Sequence, residues 1–491
     1  MELSVLLYMS SGLFLGWSLG ANDAANVFGT AVGTRMVSFK TAALITSVFC
    51  ILGAVISGAG AAHTLSKLGD INALGGAFVA AFAAAAVVAW LTVLGLPVST
   101  TQAVVGAIIG WNFFTGMATD FTIFKTIVAT WFLSPVLAAI FSYFMYKGVS
   151  WWLNKQKVHL ITLDAMTRVA LIAAGVLGAY SLGANNIANV MGVFIGANPF
   201  NDFGMISGLQ QLFFVGGIAI AFGVYTYGKK VMMTVGDSIA PLTPVAAVIV
   251  VLSTSLVLLL FASEDLEFLL ASLGLPTIPL VPVSSSQAVV GAVIGIGFIQ
   301  NAHNIKWSVT GRIAIAWVQT PIISALVSFV MLFFVQNLFS QTVFQKVEYQ
   351  LSKPLLERHV KTMDVKSLES LIGKPFDNSG SLKSEVDKLL PKADYKAELK
   401  MIQEARMERI YIDAARFPEL DKSGLLTKPQ IDSVKSLAGK TFDYRWQLEN
   451  ALAETSETWR LKEKTVLNKP YNKDVIQRLT IVMDLYTERM K

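Results

Sequence analysis

The sequence predicts an all-α polytopic membrane protein built from two related halves, followed by a soluble, mainly helical C-terminal domain. Three observations carry this. Of the 491 residues 54% are hydrophobic, and the mean hydropathy of +0.57 lies above that of soluble domains of ordinary composition. Two short polar motifs occur twice, in the same order, inside apolar surroundings. Charge then changes abruptly, from 22 charged side chains in residues 1–340 to 50 in residues 341–491.

Apolar stretches near 4–21, 41–62, 74–96, 126–146, 168–184, 206–227, 239–262 and 313–338 each approach the ~20 residues a helix needs to cross the hydrocarbon core. The opening Met1-Glu2-Leu3-Ser4 has no basic segment or convincing cleavage site, so the first stretch reads as a retained helix. The first membrane repeat is expected over 1–150, an interfacial linker over 151–167, the second repeat over 168–340 and the soluble domain over 341–491. Trp151, Trp152, Lys155 and Lys157 suit a segment at the bilayer interface. Basic clusters at Arg35 and Lys40, Lys147 to Arg168, and Lys229-Lys230 favour the cytoplasmic side without fixing the orientation. In the tail, Val365–Asp377 resembles Val434–Asp443, which predicts two repeated helical units; helix formers are dense over Lys396–Ala415 and Trp446–Lys464.

Composition also excludes classes of function. The single Cys50 rules out an intrachain disulfide framework and cysteine metal clusters, and reads as packing. A net charge of +6 spread along the chain gives no warrant for nucleic-acid binding. His63, His159, His303 and His359 show no ligand spacing, and His303 with Lys306 reads as a surface loop. The chain has no GxxxxGK[ST] loop, triad or metal cluster, so neither an enzyme nor an ATP-driven pump is expected.

The first motif, Gly20-Ala21-Asn22-Asp23-Ala24-Ala25-Asn26, returns as Gly183-Ala184-Asn185-Asn186-Ile187-Ala188-Asn189. A carboxylate at membrane depth costs at least about 2.5–3.5 kcal/mol on insertion scales, so Asp23 is a functional candidate. Asn22, Asn26, Asn185, Asn186 and Asn189 add carboxamides beside glycines, a composition expected to interrupt the helix and expose carbonyls. Such oxygens, with a carboxylate, suit a hard cation such as sodium. The second motif opens at Pro97 and returns at Pro282, and the residues that follow favour a helix start inside the membrane. Free amides and the positive helix end, with the hydroxyls of Ser99, Thr100 and Thr101 or Ser284, Ser285 and Ser286, form an anion pocket. Gln102 and Gln287 follow these hydroxyls and either contact an ion or bond a neighbouring helix. The spacing between motifs is 22 residues longer in the second half, attributed to an acidic loop at Ser263–Glu267.

The motifs hold one carboxylate and no Lys or Arg, so a bound anion would meet Asp23 unopposed in a medium of low dielectric. A co-bound cation relieves this, which points to cation-coupled symport. Asp23 can accept a hydrogen bond from a protonated oxyanion, a bond phosphate offers near neutral pH and sulfate does not.

The four motif copies resemble the duplicated signatures of the inorganic phosphate transporter (PiT) family over about residues 1–338. That resemblance implies an inverted-repeat transporter bundle with two broken or re-entrant helical motifs, in the cell membrane and often dimeric. It implies sodium as the coupling ion, alternating access and no cofactor. By motif position, Asp23, Asn26, Asn186 and Asn189 with Ser99, Thr100, Thr101, Ser284, Ser285 and Ser286 would hold phosphate. Sodium would sit among Asp23, Asn22, Asn26, Gln102, Asn185, Asn186, Asn189 and Gln287. Many members carry Asp where this chain has Asn186, which weakens one cation position. The alternatives are proton coupling, sulfate or another tetrahedral oxyanion, and a membrane sensor signalling through the tail.

Overall fold

The computed structural model describes residues 3–33, 35–93, 98–156, 158–201, 206–230, 232, 242–300, 307–391, 393–422 and 424–487. Pro97, Lys157, His303 and Lys306 lie outside the described residues. The chain divides into two compact units, one of Met1–Thr115, Thr119–Glu267 and Thr277–Gln345, the other of Gly116–Ala118, Phe268–Pro276 and Lys346–Lys491.

The first unit opens with α1 (Leu3–Gly33), α2 (Phe39–Ser57), α3 (Ala59–Ser66), α4 (Leu74–Val93), α5 (Thr100–Thr115) and α6 (Phe121–Gln156). The second repeat brings α7 (Leu160–Met191), a 3-10 segment Gly192–Ala197, α8 (Gly208–Gly223) running into a π turn Val224–Gly228, α9 (Pro244–Ala262), α10 (Glu264–Ser272), α11 (Ser285–Gln300) and α12 (Trp307–Asn337). Among the described residues eight helices are long and apolar enough to cross a membrane, one for each stretch expected from the sequence.

Three expectations change. The Gly-Asn motifs do not interrupt their helices: α1 and α7 run unbroken through 20–26 and 183–189. Their glycines admit neighbouring backbone instead, since a Cβ at Gly20 would overlap the Ile220 carbonyl and one at Gly183 the Cys50 carbonyl. The acidic stretch after Ser263 is the helix α10, whose first turn holds Glu264, Asp265 and Glu267 where the positive end of the helix favours them. The expected linker is mostly helix: α6 continues through Trp151 and Trp152, with Lys155 one turn on and 5.2 Å from the Trp151 ring, and α7 starts at Leu160.

Helix contacts show that the repeats are inverted. Gly16 meets Gly216 and Ala219 and Gly20 meets Ile220, so α1 and α8 run parallel; Gly183 meets Cys50 and Ile187 meets Gly58, so α2 and α7 do too. Residues 35–38 reverse the chain ahead of α2, with Arg35 at φ 59° and Val37 N–H bonded to Ala31 O at 3.1 Å. Helix α7 therefore opposes α1, as an inverted repeat requires. The same exchange recurs elsewhere in the bundle. Gly106 and Gly110 of α5 face Pro321 and Ala325 of α12, while Gly291 and Gly295 of α11 face Pro135 and Ala139 of α6. Small residues allow this approach where lipid supplies no hydrophobic drive.

The second unit holds helices but also two tiny antiparallel sheets that the helical reading missed. β1 (Tyr349–Gln350) pairs with β2 (Pro375–Phe376), and β3 (Ile410–Tyr411) with β4 (Thr441–Phe442). Its helices are α13 (Lys353–His359), α14 (Ser379–Leu389), α15 (Tyr395–Glu404), α16 (Phe417–Lys422), α17 (Lys428–Ser436), α18 (Arg445–Thr455) and α19 (Lys469–Tyr486). The internal likeness is structural: Gly373 at φ 75° donates to Leu351 O and Gly439 at φ 77° donates to Ile412 O, both at 2.9 Å. Each half has its own core, one around Leu351, Leu382 and Ile402, the other around Ile410, Leu448 and Val482.

Candidate anion and cation site

The N-termini of α5 and α11 lie inside the first unit. Ser99 and Ser284, 1% and 2% exposed, cap them: each Oγ accepts from the backbone N–H of Gln102 or Gln287, at 3.3 and 3.2 Å. Residues 277–284 before α11 and 98–99 before α5 carry no regular secondary structure. The two tips lock reciprocally, Thr101 Oγ1 donating to Val283 O and Ser286 Oγ to Val98 O, each at 3.3 Å. Ser324 of α12 donates to Ala103 O at 2.6 Å and Ser142 of α6 to Ala292 O at 2.8 Å, so each tip helix is braced from the opposite repeat. Sequence reasoning missed both braces, because a single serine in an apolar helix carries no distinguishing pattern.

Asp23 is 2% exposed and is the only buried carboxylate among the described residues of this unit. Its Oδ2 accepts from Ser285 Oγ and Asn186 Nδ2, both at 2.9 Å, and its Oδ1 from Asn22 Nδ2 at 3.1 Å. Asn26 donates to Ser285 Oγ at 3.3 Å. Asn189 donates to Thr101 Oγ1 at 2.9 Å and to Asn186 Oδ1 at 3.5 Å. One network therefore joins α1, α7 and both tips, and includes Asn22, Asp23, Asn26, Asn185, Asn186, Asn189, Thr101 and Ser285.

Asn185 is committed within it. Its Nδ2 donates to Val283 O and Asn186 Oδ1, both at 2.8 Å, and its Oδ1 accepts from Val283 N–H at 2.9 Å. That gives it a positioning role toward the α11 tip, with little left for an ion. By contrast, Thr100 Oγ1, Gln102 Oε1, Gln287 Oε1 and Asn189 Oδ1 are buried without a hydrogen-bond partner. Other buried hydroxyls of this unit, among them those of Thr46, Ser134 and Thr254, also lack a partner, but these four oxygens belong to the repeated motifs around Asp23 and are open to a ligand there. Carboxamide oxygens beside a carboxylate suit a cation, and hydroxyls at two helix N-termini suit an anion.

A model of the phosphate transporter family matches residues 19–328 and 270–375. A Methanocaldococcus jannaschii protein, provisionally named a phosphate permease, is 26% identical over 332 residues, covering 67% of this chain and 97% of its own. The sulfate permease of Bacillus subtilis is 29% identical over 340 residues, covering 67% and 87%. A solved sodium-dependent phosphate transporter matches with TM-score 0.52 at 26% identity, over 67% of this chain and 99% of that one. With its two interlocked tips, inverted repeats and buried polar centre, this multi-pass membrane protein belongs to the phosphate transporter family.

Proposed function

We propose that the chain imports inorganic phosphate with sodium by alternating access, as a homodimer in the cell membrane, with the tail from 346 as a separate domain. The observation that carries this is the convergence of two hydroxyl-lined helix N-termini from opposite repeats on the buried Asp23 and its carboxamides. Phosphate would be held by Thr100, Thr101, Ser285 and Ser286 with the capping Ser99 and Ser284, and by Asp23, Asn26, Asn186 and Asn189. Sodium would draw on Asp23, Asn22 and Asn26, the free oxygens of Gln102, Gln287 and Asn189, and Asn186. Helix ends each carry about half a positive charge, enough to hold an anion without arginine.

A second reading has one observation behind it: the sulfate permease of Bacillus subtilis is among the relatives. Competition separates the two. The phosphate reading predicts that a hundredfold excess of unlabelled phosphate, but not of sulfate, suppresses labelled phosphate uptake by the purified protein; suppression by sulfate as strong as that by phosphate would favour the alternative. Such selectivity follows if the site keeps an acceptor for the proton of phosphate, because a ligand lacking that proton leaves a buried acceptor unpaired.

A further inference from the structure

The two repeats hold their tips unequally. Motif position pairs Asp23 with Asn186 and Ser285 with Thr100. On one side Ser285 Oγ donates to Asp23 Oδ2 at 2.9 Å, and Asn26 bonds the same hydroxyl at 3.3 Å. On the other side no such pair forms among the described residues. Asn186 turns its amide to Asp23 Oδ2 at 2.9 Å, and its Oδ1 accepts from Asn185 and Asn189 at 2.8 and 3.5 Å. Thr100 Oγ1, in a residue 4% exposed, is left without a partner. Both flanking asparagines donate to the Oδ1 of the next residue, Asn22 to Asp23 and Asn185 to Asn186, but among the described residues only Asn185 also bonds a tip peptide, that of Val283, and does so twice.

Only one side of the internal two-fold therefore carries charge. A monovalent cation beside Asp23 neutralises it, and the two helix N-termini, with about half a positive charge each, are then free for the anion. A second cation on the Asn186 side would find oxygens but no charge to offset its desolvation. We propose that this site takes a single monovalent cation per anion, bound on the Asp23–Ser285 side, and that Asn186 sets this number. The inference rests on the sodium–phosphate reading above. In Asn186→Asp the new carboxylate would stand within hydrogen-bond distance of Asp23. Two like charges so placed cannot both ionise without a proton or a second cation between them.

The test is simultaneous labelled sodium and labelled phosphate influx into proteoliposomes of the full chain, with voltage clamped at zero by a potassium ionophore. The expected sodium-to-phosphate ratio is about one for the native protein and about two for Asn186→Asp, following the charge count. Sodium-driven uptake at a ratio near two in the native protein, or an unchanged ratio in an active Asn186→Asp protein, overturns the inference alone. Phosphate uptake indifferent to sodium overturns the parent reading as well. Should Asn186→Asp fail to fold, the half-saturating concentrations of Ser285→Ala and Thr100→Val decide. Ser285→Ala is expected to raise that of sodium by about tenfold, the loss of one charge-assisted hydrogen bond. Thr100→Val is expected to act on that of phosphate and to move sodium less than about twofold; equal sodium shifts in the two variants contradict the asymmetry.

Discussion

At the scale of single residues, Asp23 is the centre of the site, because three protein donors converge on a carboxylate that burial would otherwise make costly. Asp23→Asn is expected to cut sodium-driven phosphate uptake by about 100-fold, the equivalent of losing about 2.7 kcal/mol of binding, with normal membrane insertion. Full uptake by that variant would remove Asp23 from the mechanism. A second carboxylate, Glu404 in the tail, is held differently. Burial raises its pKa, but the His359 hydrogen bond at 3.0 Å and the charges of Arg358, His359 and Lys400 outweigh that and leave it below the ordinary value of 4.5. A depressed carboxylate stabilises the folded state above its unfolded value, and that contribution is lost as pH falls through the folded one. Glu404→Gln is therefore expected to loosen α13 and α15 at neutral pH by about 1–2 kcal/mol, and to narrow the gap to the native protein under acid. Hydrogen exchange of peptides from 353–404 in the full-length protein reads both effects. The motif residues were legible in the sequence because a carboxylate and carboxamides stand out against apolar neighbours. The roles of Asn185 and Thr100 were not: Asn185 is distinguished by its bonds to Val283, 98 residues along the chain, and Thr100 by a buried hydroxyl left without a partner.

At the scale of elements, hydropathy located all eight long helices, because period and length are local properties. Local composition misled at the Gly-Asn motifs, where glycine serves an approach between α1 and α8 or α2 and α7 that no local pattern encodes. The tail strands were missed for a similar reason: two residues cannot display an alternation, and their pairing is set by partners 25–32 residues away. Close approach makes a contrast testable. Gly106→Val would drive a side chain into the Pro321 carbonyl, while a Cβ added at Gly311 would meet nothing within 4 Å. Gly106→Val is expected to lower stability by at least about 1–3 kcal/mol, and Gly311→Ala to be neutral or to add up to about 1 kcal/mol. Thermal unfolding of the two purified variants in the same detergent checks the order; equal midpoints would contradict the packing described.

At the scale of the whole molecule, the duplication was legible as two motifs in fixed order, and inversion became visible only through the parallel pairs α1 with α8 and α2 with α7. Two opposed copies around one polar centre suit the alternating access proposed above, in which each repeat would take the position of the other. The membrane unit runs on to Gln345, beyond the charge boundary at 340: Trp111 Nε1 bonds Val343 O at 3.2 Å, and Asn72 pairs with Gln345 through two bonds of 3.0 Å. Truncation after Gln345 is expected to keep sodium-driven uptake, since the Methanocaldococcus jannaschii relative is 97% covered by a match that takes in only 67% of this chain. Truncation after Ser340 is expected to lose folded protein, as judged by size-exclusion chromatography in detergent. If the Gln345 truncation folds but cannot transport, the tail belongs to the transport machinery.

Whether the two tips and Asp23 form a sodium-coupled phosphate site is decided by labelled phosphate uptake into proteoliposomes of the purified full-length chain. An inward sodium gradient is compared with choline in its place, and each with Asp23→Asn. Concentrative uptake with sodium alone, lost in the variant, is the expected result. Equal uptake with sodium and choline, or uptake that survives the loss of Asp23, would contradict it.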